Sequence, residues 1–194
     1  MAKLGDIITS KVRIKILELM LSDVSEMYHV RGIVRKVGEE INAVRRELKR
    51  LEEGGLLSKE KRGNRIYFWV REEYIFFEDL LSIVAKSTGL GAEILANKNK
   101  IGRLSFVMFS GWFARHKKNE KDGRVDMLIV GNVVLPELAS IIRKEESLRG
   151  HEINYTVMNR EELEFRKKRR DPFINSILAG SRIMIVGEQE DLVN

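Results

Sequence analysis

The chain of 194 residues contains no cysteine, two prolines and three histidines. The absence of cysteine excludes disulfides, thiolate metal sites and cysteine nucleophiles. His29, His116 and His151 are widely separated, with no partner at ligand spacing, so we expect no histidine-based zinc site. No apolar run approaches the ~18 residues of a membrane span, and the amino terminus lacks a secretory hydrophobic region. We therefore expect a cytoplasmic protein with no membrane partner.

The positive charge of the chain is concentrated in its first third. Residues 1–71 contain 16 Lys and Arg residues against 10 Asp and Glu residues, a net charge of +6. Residues 72–194 contain 19 of each class and are neutral. Because the neutralisation of phosphates supplies most of the non-specific affinity for nucleic acids, this distribution suggests a polyanionic partner for the first third.

Residues 39–70 have the pattern of a basic helix followed at once by a hairpin. Apolar residues recur at helical spacing from Ile41 to Leu51, and Gly54-Gly55 ends the helix. Two β-like runs, at 56–59 and 65–70, then flank a Gly/Asn turn. We predict that DNA is contacted by residues on the solvent face of the helix and at the hairpin tip, namely Asn42, Arg45, Arg46, Lys49, Arg50, Arg62, Asn64 and Arg65.

The competing interpretation is that these charged residues are only solvated. Any amphipathic helix followed by a hairpin produces the same pattern, and Glu39-Glu40 at the first helical turn would repel a phosphate that approached there. Sequence alone leaves both interpretations open.

Two further helices are predicted before this segment. Thr9-Ser10 can cap a helix whose apolar positions run from Val12 to Leu21. A second short helix is predicted to begin after Ser25 or Glu26 and to end at Gly38.

These residues carry a resemblance to a known class of domain. ITSKVRIKILELML, followed by AVRRELKRLEEGGLLSKEKRGNRIYF, resembles the winged helix-turn-helix domains of small prokaryotic regulators, the ArsR-like group especially. The resemblance covers about residues 7–71. It implies binding of double-stranded DNA, most often as a homodimer.

Residues 72–101 are predicted to form a helical linker. Its first part is apolar over much of its surface, from Tyr74 to Val84, which is more than a small domain can cover. We therefore expect this segment to contribute a dimer contact.

The remainder of the chain alternates strand and helix patterns. Strands are predicted at 104–109, 125–130, 152–157 and 182–186, and helices at 135–148 and 160–169. The basic run at 166–170 is either a further DNA or RNA contact or, the interpretation that we favour, a solvated helix end.

This half resembles the small nucleotidyltransferase domains of the polymerase-β-like superfamily. The resemblance is carried by FSGWFAR, VDMLIVG, HEINYTV and DPFINSILAG, which begin at Phe109, Val125, His151 and Asp171. That family places Gly-Ser at a helix start to hold triphosphate, then two aspartates, one residue apart, to hold metal. Here Gly111 keeps the glycine, but Trp112 replaces the serine. Asp126 matches the second aspartate, and Arg124 occupies the position of the first.

These departures imply a catalytically inactive relative. A single carboxylate cannot hold a pair of metal ions, and a guanidinium two residues away repels them. Asp122, through a loop shift, is the alternative for the lost aspartate, whereas Glu152 could supply a third acid but cannot replace a lost pair. A nucleotide remains a candidate ligand, with Arg115, Arg124 or Lys117-Lys118 on its phosphates, although we predict no required cofactor and no metal.

The sequence therefore predicts an α+β chain in three parts. These are a winged helix-turn-helix domain at 1–71, a helical linker at 72–101, and a nucleotidyltransferase-like domain with a mixed sheet at 102–194. The predicted function is that of a dimeric transcriptional regulator that responds to a nucleotide or protein effector. The alternatives are an active nucleotidyltransferase whose winged helix binds a protein or RNA substrate, and an antitoxin-like partner of a second protein.

Overall fold

A computed structural model describes residues 4–117 and 125–193. The chain is a mixed α+β protein, and its described part contains 11 α-helices and two β-sheets. It divides into two compact units, the first comprising residues 4–87 and 115–117 and the second residues 88–114 and 125–193. The segment 72–101, predicted as a linker, is thus shared between the two units. No helix in the described ranges is long and apolar enough to cross a bilayer.

The first unit combines helices with a three-stranded antiparallel sheet of order β1-β3-β2. After a short 3-10 helix at Leu4–Asp6, its elements are α1 Lys11–Ser22, β1 Tyr28–His29, α2 Val30–Val37, α3 Ile41–Glu53, β2 Leu57–Arg62, β3 Arg65–Val70 and α4 Phe77–Ser87. The core is built from buried side chains of all these helices and of β3, among them Ile16, Ile33, Leu48, Phe68 and Leu81.

The predicted start of the second helix is wrong. Tyr28 and His29 form a short strand that pairs with Phe68 and Tyr67 of β3, and α2 begins only at Val30. Cross-strand pairing of aromatic residues outweighs the helical spacing that Tyr28 shares with α2. The His29 imidazole then caps α2, because its Nδ1 accepts a hydrogen bond from the Gly32 amide at 3.1 Å.

A three-residue connection, Gly38 to Glu40, joins α2 to α3. Gly38 ends α2 in the left-handed conformation, with φ of +67°, which a residue without a Cβ adopts at little cost. The Glu40 carboxylate then caps α3 by accepting hydrogen bonds from the amides of Asn42 and Ala43, both at 2.9 Å. The chain turns tightly between the two helices as a result.

The hairpin turn is shorter than the predicted segment 60–64. Arg62 pairs directly with Arg65, so only Gly63 and Asn64 lie in the loop. Gly63, the first loop residue, has φ of +57°, which is typical of the type II′ turn that matches the twist of two antiparallel strands. The tight turn brings Arg62 and Arg65 side by side at the tip.

Helix α4 buries one side and exposes the other. Phe77, Leu81 and Val84 are buried within the first unit. Ile75 and Phe76, which were predicted to be helical, precede the helix and are 82% and 55% exposed, and Ile83 is also exposed. Turn hydrogen bonds from Tyr74 to Arg71 and from Phe77 to Tyr74 occupy the stretch before Phe77, so the helix begins later than its apolar pattern suggests.

The second unit contains a four-stranded mixed sheet of order β6-β5-β4-β7, as the sequence predicted a mixed sheet. β5 and β6 are parallel and the other pairs are antiparallel. Its elements are α5 Gly89–Ala96, α6 Lys98–Ile101, β4 Gly102–Ser110, α7 Gly111–Ala114, β5 Met127–Val133, α8 Leu135–Arg149, β6 Tyr155–Met158, α9 Arg160–Lys168, α10 Pro172–Leu178, β7 Arg182–Val186 and α11 Gln189–Val193.

Two predictions for this unit need correction. β6 begins at Tyr155 rather than at residue 152. α10 was not predicted, although Asp171 caps it by accepting a hydrogen bond from the Ile174 amide at 3.1 Å and Pro172 occupies an early helical position. Ile174 of this helix packs in the core beside Phe106 and Leu128, so tertiary burial stabilises a helix too short to show a periodic pattern.

Candidate nucleic-acid interface

The outer side of α3 presents polar and basic side chains. Val44 and Leu48 are buried, whereas the five residues predicted from the helix are all exposed: Asn42, Arg45, Arg46, Lys49 and Arg50. Asn42, Arg46 and Lys49 are spaced by four and three residues, so they share one face of the helix. Within the described residues, Arg45 and Arg46 form no ion pair, whereas Lys49 lies 3.5 Å from Glu53.

The three predicted residues of the hairpin tip are also exposed. Arg62 is held by an ion pair with Glu60, at 2.8 Å, and lies over the Tyr67 ring. Arg65 makes no ion pair within the part of the chain that the structure describes. Arg65 therefore has a guanidinium free to bind an anion, whereas Arg62 must first leave Glu60.

A cleft of about 660 Å³ lies between α3 and the hairpin, and we call it the α3–hairpin cleft. It is lined by His29, Val30, Arg31, Arg45, Leu48, Lys49, Glu52, Lys59, Asn64, Arg65, Ile66 and Phe68. Four predicted residues therefore meet there: Arg45 and Lys49 from the helix, and Asn64 and Arg65 from the hairpin. Asn42, Arg46, Arg50 and Arg62 do not line it.

Sequence analysis missed three basic residues of this cleft, His29, Arg31 and Lys59. His29 and Arg31 both fall within the predicted second helix, which was to begin after Ser25 or Glu26. They instead occupy the junction of β1 and α2, where pairing of β1 with β3 brings them beside the hairpin. No local signal in the sequence indicates that long-range pairing. Lys59 is within the basic hairpin, and its charge is paired with Glu52 at 3.0 Å.

The two acids at the start of α3 are both engaged within the first unit. Glu39 forms an ion pair with Lys15 at 2.6 Å. Hydrogen bonds from the amides of Asn42 and Ala43, with the nearby charges of Arg46 and Arg45, lower the pKa of Glu40 from its usual value. Glu40 is therefore ionised, and its negative charge is partly offset by the positive end of the helix dipole and by Arg45 and Arg46.

A buried carboxylate fixes the inner side of α3. Glu47 accepts hydrogen bonds from Arg13 Nε at 2.8 Å, Ser10 Oγ at 3.2 Å and Arg50 at 3.1 Å. Burial opposes ionisation, but the contacts with Arg13, Ser10 and Arg50 outweigh it, and the pKa of Glu47 is lowered. Glu47 thus ties α3 to the start of α1 and holds the orientation in which the outer face is presented.

In the second unit, the predicted nucleotide site is described in part. Gly111 begins the four-residue helix α7, and the Ser110 hydroxyl accepts a hydrogen bond from the Phe113 amide at 3.2 Å. The Ser110 amide donates to the Asp126 carbonyl at 2.8 Å, so Gly111 and Asp126 lie on neighbouring strand ends. Trp112 is 43% exposed. Arg124, like the alternative acid Asp122, lies outside the described residues.

Asp126 is engaged by the backbone of its own unit. Its carboxylate accepts a hydrogen bond from the Asn154 amide at 2.9 Å and is 8% exposed. Burial raises the pKa of Asp126, although the Asn154 amide and the charges of His151 and Arg149 act to lower it. Within residues 4–117 and 125–193, no group of three or more His, Asp and Glu residues is arranged to hold a metal ion.

Most residues of the basic run 166–170 contact other residues of the second unit. Arg166 pairs with Glu162 at 2.7 Å and lies 3.6 Å from Asp171. Lys167 donates to the Leu192 carbonyl at 3.1 Å, and Arg169 stacks 4.4 Å from the Phe165 ring centroid. Lys168 and Arg170 are exposed and form no ion pair among the described residues.

Comparisons with protein-family models, curated proteins and solved structures found no match for this chain.

Proposed function

We propose that this protein is a DNA-binding transcriptional regulator whose first unit is a winged helix-turn-helix domain of the ArsR-like kind. The single observation that carries the proposal is the α3–hairpin cleft, where Arg31, Arg45 and Arg65 come from three separate elements and face one space. The net charge of +6 over residues 1–71 supports it, because nucleic acid is the commonest partner of such a basic surface.

In the proposed complex, α3 enters the major groove with its outer face. Asn42, Arg46 and Lys49 then contact base edges or nearby phosphates, since arginine suits guanine and asparagine suits adenine. Arg45, at the border of this face and the cleft, contacts the backbone together with Arg31 and Arg65. The hairpin follows the adjacent backbone, as the wing does in domains of this type.

This function is tested by titrating the protein with a labelled duplex from its own upstream region and with an unrelated duplex of the same length. We expect tighter binding of the upstream duplex, and Arg46→Ala to weaken it about tenfold. Arg62→Ala is expected to have a smaller effect, because Arg62 is already paired with Glu60. Arg143→Ala, which removes an exposed arginine of α8 that makes no ion pair among the described residues, is the control. Equal affinity for both duplexes, or no binding at low salt, would refute the proposal that the protein is a transcriptional regulator.

We also propose that two copies associate through α4. Asp79, Ile83 and Lys86 share the exposed face of this helix, next to the exposed Ile75 and Phe76. When two copies of α4 pair antiparallel about a two-fold axis near Ile83, Asp79 of each copy faces Lys86 of the other. The exposed face of α4 is thus complementary to a second copy of itself, both in the placement of its apolar residue and in charge, as an isologous interface requires.

Sedimentation measures this association directly. Ile83→Asp places an acid at the axis and is expected to yield monomers, as is Lys86→Glu, which sets like charges opposite each other. Asp79→Lys combined with Lys86→Glu restores the pairing and is expected to recover the dimer. A wild-type monomer at micromolar concentration, or a dimer that ignores both single substitutions, would contradict the proposed face.

For the second unit, we propose a nucleotidyltransferase-like domain without catalytic activity that binds a nucleotide or protein effector. The neighbouring positions of Gly111 and Asp126 support the relationship, and the engagement of Asp126 by the Asn154 amide supports the loss of activity. The retained Asp126 equally favours the second candidate, an active transferase. Metal-dependent nucleotide incorporation that is lost in Asp126→Ala would establish that enzyme, and no incorporation is expected.

A further inference from the structure

The floor of the α3–hairpin cleft is apolar, which the binding of phosphates does not require. Leu48 and Phe68 line it and are 1% and 6% exposed, so they form its base. Ile66 also lines it and remains 43% exposed on strand β3, although a polar residue there would satisfy the hairpin equally well. An isoleucine left uncovered among cations offers an apolar contact to whatever occupies the cleft.

The cations around this floor differ in how far they are already neutralised. Lys49 and Lys59 have acidic neighbours, Glu53 at 3.5 Å and Glu52 at 3.0 Å. Arg31, Arg45 and Arg65 are exposed and form no ion pair in the portion of the chain that the structure describes. Three guanidinium groups from α2, α3 and β3 thus remain available around one apolar base. Guanidinium binds carboxylate, sulfonate and phosphate groups through paired N–H donors.

We propose that this cleft is also a binding site for a small organic anion with an apolar body. The body would lie on Ile66 and Phe68, and the acidic group would pair with Arg31, Arg45 and Arg65. The volume of about 660 Å³ lies within the range of roughly 300–1,000 Å³ that small-molecule sites occupy. Such a ligand needs both the apolar base and the arginines, whereas DNA backbone needs only the arginines.

One consequence rests on the proposed function. Arg45 and Arg65 serve the ligand and the DNA alike, so the two compete for the same groups. The first unit would then release DNA when the anion binds, without a conformational change in either unit. By linkage, DNA must displace the anion by the same factor by which the anion weakens DNA binding.

Binding is tested first without DNA, using 8-anilinonaphthalene-1-sulfonate as a fluorescent anion with an aromatic body. Arg45→Ala is expected to weaken the binding of this probe about tenfold, because it removes a charge-assisted contact. Ile66→Thr keeps a β-branched residue in the strand and is expected to weaken it about fivefold, through the lost apolar contact. Circular dichroism establishes that each variant is folded.

Two control variants separate this site from other surfaces that bind the probe. Arg143→Ala removes an exposed arginine from the second unit, and Phe173→Ser removes an exposed aromatic residue from that unit, outside the cleft. Both are expected to retain cleft binding within about twofold, because neither residue lines the cleft. If Ile66→Thr binds the probe as tightly as the wild type, or if only Phe173→Ser weakens binding of the probe, the cleft is not the site.

Competition is then measured with the labelled duplex and decanoate, a non-fluorescent anion with an apolar body. We expect decanoate to displace both the probe and the duplex from the wild type, and to displace the duplex far less effectively from Ile66→Thr. That variant retains its arginines and should bind the duplex within about twofold of the wild type. Displacement of the duplex by decanoate to the same extent in Ile66→Thr would overturn the shared site. Probe binding that depends on Arg45 and Ile66 in a protein that binds no duplex would instead support the anion site and refute the regulator.

Discussion

The two units each carry a basic stretch, and these stretches differ in how their charges are used. In the first unit, cations from α2, α3 and the hairpin line one cleft. In the second unit, five consecutive cations occupy positions 166–170. Arg166, Lys167 and Arg169 of that run have acidic, carbonyl or aromatic partners within the unit. Three of the five cations in that run thus have a described partner within their unit, against two of the five Lys and Arg residues that line the cleft.

This difference teaches that convergence, rather than density of charge, marks a candidate binding surface. Lys and Arg residues at the carboxyl end of a helix interact favourably with the helix dipole and with acidic residues of the same helix. Arg31, Arg45 and Arg65 are separated by 14 and 20 positions in the sequence, yet they face the same cleft. Holding unpaired like charges together costs free energy, and this cost is consistent with the anionic partner that we propose.

The largest expected effect comes from removing two charges from each stretch. Arg45→Ala with Arg65→Ala should weaken binding of the upstream duplex about 100-fold, since each arginine makes a charge-assisted contact. The matched double substitution, Arg169→Ala with Arg170→Ala, lowers the net charge equally and should change affinity less than about threefold. Fluorescence anisotropy at one fixed salt concentration measures both. Equal losses in the two variants would mean that net charge alone, and not the cleft, binds DNA.

The second prediction concerns the buried carboxylate that orients α3. Glu47→Ala should destabilise the first unit by about 2 kcal/mol, because it leaves the contacts of Arg13, Ser10 and Arg50 unmade. Trp69 lies in the first unit and Trp112 in the second. In a Trp112→Phe background, urea unfolding followed by the fluorescence of Trp69 therefore reports on the first unit.

The control for Glu47→Ala is Glu162→Ala, which breaks the half-buried pair with Arg166 in the second unit. It should cost less than about 0.5 kcal/mol, as surface ion pairs do. The role assigned to Glu47 would be wrong if the two substitutions had equal effects on the unfolding of their units.

The third prediction concerns the hairpin tip. Gly63→Ala should destabilise the first unit by about 1 kcal/mol, because alanine is strained at the φ of +57° that the turn requires. Among the described residues other than the two chain neighbours of Gly63, no atom lies within 4 Å of the added Cβ, so the cost would come from the backbone alone. Gly180→Ala in the second unit is the control, since its φ is not left-handed and its Cβ would lie at an ordinary 3.6 Å from the Ile177 carbonyl. A Gly63→Ala variant as stable as the wild type would argue against the two-residue turn.

The smallest change in stability is expected for substitution of Asp126. Ionisation of Asp126 destabilises its unit, whereas ionisation of Glu47 stabilises the first unit. Burial raises the pKa of Asp126, so its ionised form costs the folded state free energy at neutral pH. Asp126→Asn keeps an acceptor for the Asn154 amide and should leave stability unchanged or slightly higher, within about 0.5 kcal/mol. As pH falls through the raised pKa, the wild type gains a proton and any difference should vanish.

Lowering the pH should have the opposite effect on the stability of the first unit, through the ionisation of Glu47. Because the pKa of Glu47 is lowered in the folded state, its contribution is present above its ordinary value of 4.5 and is lost as pH falls further. Urea unfolding at pH 7 and pH 4 tests both signs, with Trp69 as the reporter of the first unit in the Trp112→Phe background and Trp112 as the reporter of the second unit in a Trp69→Phe background. An Asp126→Asn variant that is strongly destabilised at pH 7 would contradict the account of this carboxylate.

Local patterns were sufficient to predict much of the first unit. The apolar spacing of α3 and the pair Gly54-Gly55 predict a helix that the structure has at Ile41–Glu53. The exposure of Asn42, Arg46 and Lys49 follows from the same spacing. In the second unit, the β-rich run at 182–186 coincides with β7. These features depend on residues close in sequence, which is why their period reveals them.

The features that sequence analysis missed depend on contacts between distant residues. Arg31 joins the cleft only because β1 pairs with β3, some 40 residues later in the chain. Glu47 is buried on the inner side of α3, where it pairs with Arg13. Because glutamate is usually exposed, the sequence alone predicts that this residue faces solvent. α10 is a seven-residue helix whose stability depends on the burial of Ile174. The partners of Arg31 and Glu47 have no signal in the local pattern, whereas α10 has a local start signal, Asp171-Pro172, that the prediction did not use.

The central claim, that the α3–hairpin cleft binds DNA backbone, is tested most directly by the salt dependence of duplex affinity. The logarithm of the binding constant should fall linearly with the logarithm of salt concentration, with a slope on the order of −4 to −6. Arg65→Ala should reduce the magnitude of that slope by about 1, and Arg170→Ala should leave it unchanged. A slope near zero, or one that changes with Arg170→Ala but not with Arg65→Ala, would contradict the account.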